Sequence, residues 1–151
     1  MYDKILLPTD AAEGTELAIE HAVAVAEDTG ADLHLLYVVD SDVYNSYSGD
    51  EYVHEFESLE AALEHVGEEA LESAAEAARD AGLEPTTVVR HGRPHEQILE
   101  YADEADVDML VMGSKERSGD YRQLLGSVTD RVARLASRPV TIVKTPVEDG
   151  E

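Results

Sequence analysis

The chain contains no cysteine, which excludes both a disulfide framework and a thiolate metal site. Basic residues are also scarce, because 34 Asp and Glu residues stand against 11 Lys and Arg residues. The resulting formal net charge of -23 repels polyanions, so we expect no nucleic-acid partner. No apolar run approaches the length of a membrane span, and no signal peptide precedes the first predicted strand. We therefore expect a cytoplasmic protein without membrane contact.

The length of 151 residues fits a single domain with one sizeable core. We predict this domain over residues 1–147, followed by an acidic C-terminal tail over residues 148–151. No internal repeat and no interdomain linker is visible in the sequence.

Strand and helix patterns alternate along the chain, which is typical of an α/β fold with a five-stranded parallel sheet and helices on both faces. Short apolar runs predict strands over residues 2–7, 32–39, 86–89, 107–112 and 140–143. Helical periodicity predicts helices over about 15–29, 58–81, 94–105 and 124–137, and residues 40–57 are predicted to be a polar loop. Because such sheets bind ligands outside the carboxyl ends of their strands, polar residues after each strand are candidates for a site.

One segment, residues 107–129, has the pattern of an anion site. A predicted strand ends at Gly113, and a predicted helix begins near Gly126. Glycines allow a ligand to approach the backbone, and free N–H groups at a helix start favour negative charge. The alternative is an ordinary capped helix, in which Ser127 is the N-cap and Asp130 follows three residues later.

The distribution of charge favours the anion site. Residues 107–146 hold seven of the basic residues and only four acidic ones. Lys115 and Arg117 lie in the predicted loop itself, where a basic side chain attracts an anion. Three of the basic residues recur at helical spacing, and for these we favour a solvent-exposed helix face over a role in the anion site: Arg131, Arg134 and Arg138.

Four motifs, taken in order, resemble the universal stress protein family over nearly the whole length. They are Ile5-Leu6-Leu7-Pro8-Thr9-Asp10, Tyr37-Val38-Val39-Asp40, Gly92-Arg93-Pro94-His95-Glu96-Gln97-Ile98, and Met112-Gly113-Ser114 leading to Gly126-Ser127-Val128-Thr129. The resemblance implies a Rossmann-like fold of the adenine nucleotide alpha hydrolase-like kind. It also implies a homodimer in which the last strand, Val140–Val143, pairs across the interface.

The resemblance is closest to the ATP-binding branch of that family. Its members carry a glycine, a second glycine three residues later, and a third ten further on that precedes Ser or Thr. Here these places hold Gly113, Glu116 and Gly126, so the outer two match and the middle one does not. The residues that the resemblance and the basic loop predict to bind nucleotide are Pro8, Thr9, Asp10, Val38, Met112, Gly113, Ser114, Lys115, Arg117, Gly126, Ser127, Val128 and Thr129.

The resemblance assigns a part of the ligand to each group of residues. Asp10 and the backbone near Val38 would contact adenine and ribose, Gly113 would contact ribose, and residues 126–129 would contact the phosphates. The predicted function is a stress-response protein that senses or sequesters ATP or AMP, with or without Mg²⁺, and that hydrolyses nucleotide slowly at most. No residue is identified as catalytic.

Glu116 favours an alternative, a dimeric interaction module of the stress response that no longer binds nucleotide. A carboxylate about 4 Å from a phosphate costs about 1 kcal/mol in water and about 4 kcal/mol at an effective dielectric constant near 20. The sequence leaves open whether the protein binds a metal ion. His91 and His95 bracket a Gly-Arg-Pro turn, but no third ligand lies at a persuasive spacing, so we interpret them as loop histidines.

The acidic composition generates a prediction about salt. Five glutamates at every fourth position of one predicted helix place like charges side by side, which destabilises the helix: Glu60, Glu64, Glu68, Glu72 and Glu76. Raising KCl from about 0.01 M to about 1 M shortens the screening length from about 30 Å to about 3 Å. We therefore infer a salt-loving source and expect the melting temperature, followed by circular dichroism, to rise with KCl. A flat or falling melting temperature would contradict this inference.

Overall fold

The computed structural model of the chain describes residues 2–9, 15–41, 53–114 and 126–144, in which five strands alternate with four helices. The strands are β1 (Lys4–Thr9), β2 (Asp32–Asp40), β3 (Thr86–Gly92), β4 (Met109–Gly113) and β5 (Val140–Val143). The helices are α1 (Thr15–Thr29), α2 (Val53–Asp80), α3 (Pro94–Ala105) and α4 (Ser127–Leu135). None of the helices in these ranges has both the length and the apolar character that crossing a membrane requires.

The strands form one parallel sheet in the order β3-β2-β1-β4-β5, which confirms the predicted α/β fold. Several boundaries differ from the prediction. Helix α2 begins at Val53, so the predicted loop 40–57 was too long at its end. Strand β3 continues to Gly92, because Arg90, His91 and Gly92 pair with the end of β2. Pairing with a neighbouring strand thus extends β3 into residues that lack strand propensity.

Strand β1 is buried on both faces and separates two cores. Ile5, Leu6 and Leu7 have no exposed surface. Ile5 and Leu7 pack into the core beneath α1 and α2, whereas Leu6 packs into the core beneath α3 and α4. Because successive side chains of a strand point to opposite faces, this apolar run covers both sides of the sheet at its centre.

The amino ends of β1 and β4 are tied together by Asp108. Its Oδ2 accepts hydrogen bonds from the backbone N–H groups of Asp3 and Lys4, at 2.6 and 2.9 Å. These hydrogen bonds lower the pKa of the Asp108 carboxyl. Lys4 adds a hydrogen bond from its Nζ to the carbonyl oxygen of Ala105, at 2.9 Å. The amino edge of the sheet is therefore closed between these two strands.

A polar cluster joins α3 to strands β2 and β3. The Nδ1 atom of His34 lies 2.7 Å from the hydroxyl of Tyr101, and the Arg90 guanidinium lies 5.0 Å from the centre of the Tyr101 ring. Arg90 also donates two hydrogen bonds of 2.8 Å to Glu104. Burial lowers the pKa of His34, and the charge of Lys4 lowers it further. The cluster holds α3 against β2 and β3.

Gly67, in the middle of α2, generates a prediction about packing. A Cβ atom there would lie 2.2 Å from Cδ2 of Tyr37, so the glycine lets the helix approach the ring. Gly67→Ala would gain up to about 1 kcal/mol from helix propensity. Overpacking costs about 1–3 kcal/mol, so we expect the free energy of unfolding to fall in a denaturant titration.

The reference for this measurement is the same change in a Tyr37→Ala background, where the ring no longer occupies the space. There Gly67→Ala should raise the free energy of unfolding, because only the propensity gain remains. Gly67→Ala effects of equal sign in both backgrounds would show that the Tyr37 contact does not determine the identity of residue 67.

Candidate functional site

The strand order reverses between β1 and β4, and the two strands part toward their carboxyl ends. Strand β1 pairs with β2 along its whole length, from Lys4–Asp32 to Thr9–Tyr37. Its pairing with β4, within the described residues, joins Ile5 to Met109 and Leu6 to Leu110. A crevice at the carboxyl edge, where the strand order reverses, is the place at which open α/β sheets bind ligands.

Buried polar side chains are concentrated at this crevice. Among the described residues, the buried polar ones are Thr9, Ser114 and Thr129, with exposed fractions of 8%, 5% and 7%. Thr9 ends β1, Ser114 follows β4, and Thr129 lies in the first turn of α4. The Thr129 hydroxyl donates a hydrogen bond of 2.8 Å to the carbonyl oxygen of Gly113 and so fixes α4 on β4.

The start of α4 lacks a side-chain cap. Its N-cap is Gly126, with φ -68° and ψ 159°, and no side chain caps the helix. The predicted N-cap role of Ser127 is therefore wrong: Ser127 is the first helical residue, and its side chain is exposed. Gly126 takes the capping place, and its N–H donates to the carbonyl oxygen of Ser114, at 3.0 Å.

Helix geometry gives the first N–H groups of α4 no acceptor within the helix. The first helical hydrogen bond runs from Asp130 N–H to the carbonyl oxygen of Gly126, at 2.9 Å. The N–H groups of Ser127, Val128 and Thr129 precede it and point out of the helix start, where the partial positive charge of the helix dipole is largest. This arrangement favours an anionic group.

The other predicted site residues fall along the same edge or outside the described residues. Pro8 and Val38 lie near the ends of adjacent strands, because Thr9 pairs with Tyr37. The side chain of Met112 is buried in the core beneath α3 and α4, and the partly buried side chain of Val128 packs against that core. Three predicted residues lie outside the described ranges, as does the mismatched position: Asp10, Lys115, Arg117 and Glu116.

Two of the described basic residues of 107–146, Arg134 and Arg138, lie in different surroundings. Arg134 lies on an exposed face and pairs with Asp130 at 3.0 Å, as the helix-face interpretation predicts. For Arg138 that interpretation is wrong, because the residue follows α4 and its side chain is 20% exposed. Its Nε donates to the carbonyl oxygen of Val107 at 2.6 Å, which anchors it near the amino end of β4, away from the crevice.

Comparison with known proteins identifies one family. Residues 1–144 match the sequence profile of the Universal stress protein family. The universal stress protein MJ0531 of Methanocaldococcus jannaschii is 33% identical, over 99% of this chain and 86% of its own length. The solved structure of MJ0577, from the same organism, is similar with a TM-score of 0.85 at 30% identity, over 98% of this chain and 99% of that one. A universal stress protein solved in complex with cAMP is 25% identical, with a TM-score of 0.68 over 96% and 98% of the two chains.

Proposed function

The chain belongs to the universal stress protein family, and on that basis we propose that it is a cytoplasmic adenine-nucleotide-binding protein of the stress response. It senses or sequesters ATP or AMP. The observation that carries this proposal is the crevice between β1 and β4, where buried polar groups meet an uncapped helix start. The relative in complex with cAMP supports adenine nucleotides as the ligand class.

The adenosine end of the ligand lies between the ends of β2, β1 and β4 in this proposal. Asp10, Thr9 and the backbone near Val38 contact the adenine and ribose, and Gly113 contacts the ribose. A Cβ atom at Gly113 would meet the Cβ of Ala18 at 3.8 Å, an ordinary van der Waals distance. The protein's own packing therefore tolerates alanine at position 113, and the approach of a ligand supplies a reason for glycine.

The phosphate end contacts Gly126, Ser127, Val128 and Thr129 at the start of α4 in this proposal. Ser127, Val128 and Thr129 present backbone N–H groups, and Gly126 lets the phosphate approach the backbone. Lys115 and Arg117 add positive charge, and Mg²⁺ accompanies ATP by bridging its phosphate oxygens. Hydrolysis is slow at most in this proposal. Among the described residues at this end, the buried polar side chains are hydroxyls, which are poor bases at neutral pH, and the Asp130 carboxylate is paired with Arg134.

We extend the proposal to a homodimer through β5. This strand is at one edge of the sheet, and all four of its residues are partly exposed in the single chain. An apolar edge strand with unpaired backbone groups needs a cover, and the β5 strand of a second copy supplies one. An interaction module without nucleotide is the competing function, and Glu116 is the feature that favours it.

Binding is tested by replacing Ser127, the first residue of α4. Ser127→Ala removes the hydroxyl, whereas Ser127→Pro removes the hydroxyl and the backbone N–H. Proline fits this place, because Gly126 already has the extended conformation that precedes a proline and the first helical turn tolerates one. A hydrogen bond to a charged group contributes about 1.5–3 kcal/mol, so Ser127→Pro should weaken ATP about 10- to 150-fold relative to Ser127→Ala.

The measurement is isothermal titration calorimetry in molar KCl with Mg²⁺, and adenosine is the control ligand. Adenosine affinity should be the same in both variants, because it has no phosphate. Absence of binding by ATP, AMP and adenosine at millimolar concentration in the unmodified protein would overturn the proposal and favour the interaction module.

A second binding experiment addresses Glu116. If its carboxylate lies near the phosphates without a metal, Glu116→Gly should tighten ATP by up to about a thousandfold and leave adenosine unchanged. If Mg²⁺ bridges Glu116 to the phosphates, the same change should weaken Mg-ATP only. Unchanged affinities for metal-free ATP, Mg-ATP and adenosine would show that Glu116 points away from the phosphates.

A further inference from the structure

His91 is the penultimate residue of β3, not a loop residue as the sequence suggested. Strand β3 lies beneath α2, and two carboxylates of that helix reach the imidazole. Nδ1 of His91 is 3.2 Å from Oε2 of Glu60, and Nε2 is 2.7 Å from Oε1 of Glu64. The two further ligands that the local sequence around His91 lacked thus come from a helix earlier in the chain, and His95 is not part of the group.

The three side chains converge on one small region. One ligand atom from each of Glu60, Glu64 and His91 lies within 4.8 Å of the other two. The side chains are 35%, 44% and 34% exposed, so each is partly held by the protein and still open to solvent on one side. Glu60 and Glu64 are one helical turn apart, which places both on the same face of α2.

The nearby arginines have other acidic partners. Arg90 binds Glu104 through two hydrogen bonds of 2.8 Å, and Arg93 lies 3.6 Å from Glu96. Glu60 and Glu64 each contact His91, and their like charges lie one helical turn apart. A divalent cation would neutralise both carboxylates together.

We propose that Glu60, Glu64 and His91 form a binding site for a divalent transition-metal ion, with Zn²⁺ as the representative ligand. Imidazole nitrogen and carboxylate oxygen are both ligands of Zn²⁺, at about 2.0–2.2 Å, and water fills the remaining positions. Imidazole selects transition metals over Mg²⁺ and Ca²⁺, which prefer oxygen. A metal at Nε2 would replace the close contact between this atom and Oε1 of Glu64.

This site is separate from the phosphate end of the proposed nucleotide site. Strand β3 lies three strand spacings, about 14 Å, from β4, where the phosphates and their Mg²⁺ are placed. Metal binding therefore requires no nucleotide, and failure of either proposal leaves the other standing. A metal here joins the first half of α2 to the carboxyl end of β3 and stabilises that corner of the fold.

The same helix carries a matched control. His65 and Glu69 are also one turn apart, with Nε2 and Oε1 separated by 3.4 Å. Their side chains are 72% and 70% exposed, and they form no part of the three-ligand cluster. General attraction of Zn²⁺ to an acidic surface should affect this pair as much as it affects the cluster.

The test is an NMR titration of the histidine ring nitrogens with ZnCl₂, in molar KCl without nucleotide, using the full chain. The His91 signals should change at up to one equivalent of Zn²⁺, whereas the His65 signals should change only in excess. Calorimetry should show one site whose affinity falls about tenfold or more in Glu64→Gln, in Glu60→Gln and in His91→Gln. Glu69→Gln should leave it unchanged.

Circular dichroism serves to check that each variant is folded. The NMR titration uses the unmodified protein, and a variant is needed only to assign the His91 signals. Equal response of His91 and His65 to Zn²⁺ would overturn the proposal and indicate adventitious binding. The same conclusion would follow if Glu64→Gln and His91→Gln both retained the affinity of the unmodified protein.

Discussion

Burial of β1 on both faces is the interaction on which the rest of the structure depends. Ile5, Leu6 and Leu7 are wholly buried and contribute alternately to two cores. Full burial of such a side chain is worth about 1.5–3 kcal/mol, so an uncovered face would be costly. Since crossovers between parallel strands are right-handed, the chain covers one face with α1 and α2 on its way out to β3. It must then return across the opposite face with α3 to reach β4. Strand order therefore reverses beside β1.

That reversal creates an asymmetry between the two edges of the sheet. At the amino edge, Asp108 accepts hydrogen bonds from Asp3 and Lys4 and closes the gap between β1 and β4. At the carboxyl edge the strands part, and the helix start of α4 is fixed beside them by the hydrogen bond from Thr129 to Gly113. A polar, backbone-lined crevice over a fully apolar centre is the arrangement on which the proposed nucleotide site rests.

Two glutamates of the acidic helix α2 make a contact that the helix alone would not predict. Repeated glutamates along α2 disfavour the helix in dilute buffer, yet two of them meet His91 on β3. The position of α2 over the sheet depends in turn on Gly67, where the helix approaches the ring of Tyr37. Close helix-to-sheet packing and the three-residue cluster are thus parts of one arrangement. In the cluster, two like charges of one helix meet a third polar side chain that only the tertiary fold brings near.

The sequence by itself determined the alternation of strands and helices, the parallel sheet and the motifs at its carboxyl edge. These features are local, since apolar periodicity and Gly or Pro punctuation act within a few residues. It could not determine where β3 ends, because Arg90, His91 and Gly92 become strand only by pairing with β2. It also misassigned the α4 cap and Arg138, whose partners Ser114 and Val107 come from other elements. The cluster of Glu60, Glu64 and His91 was invisible for the same reason. Contacts between residues far apart in the chain are decided by packing, and packing exists only once the sheet and its helices have assembled.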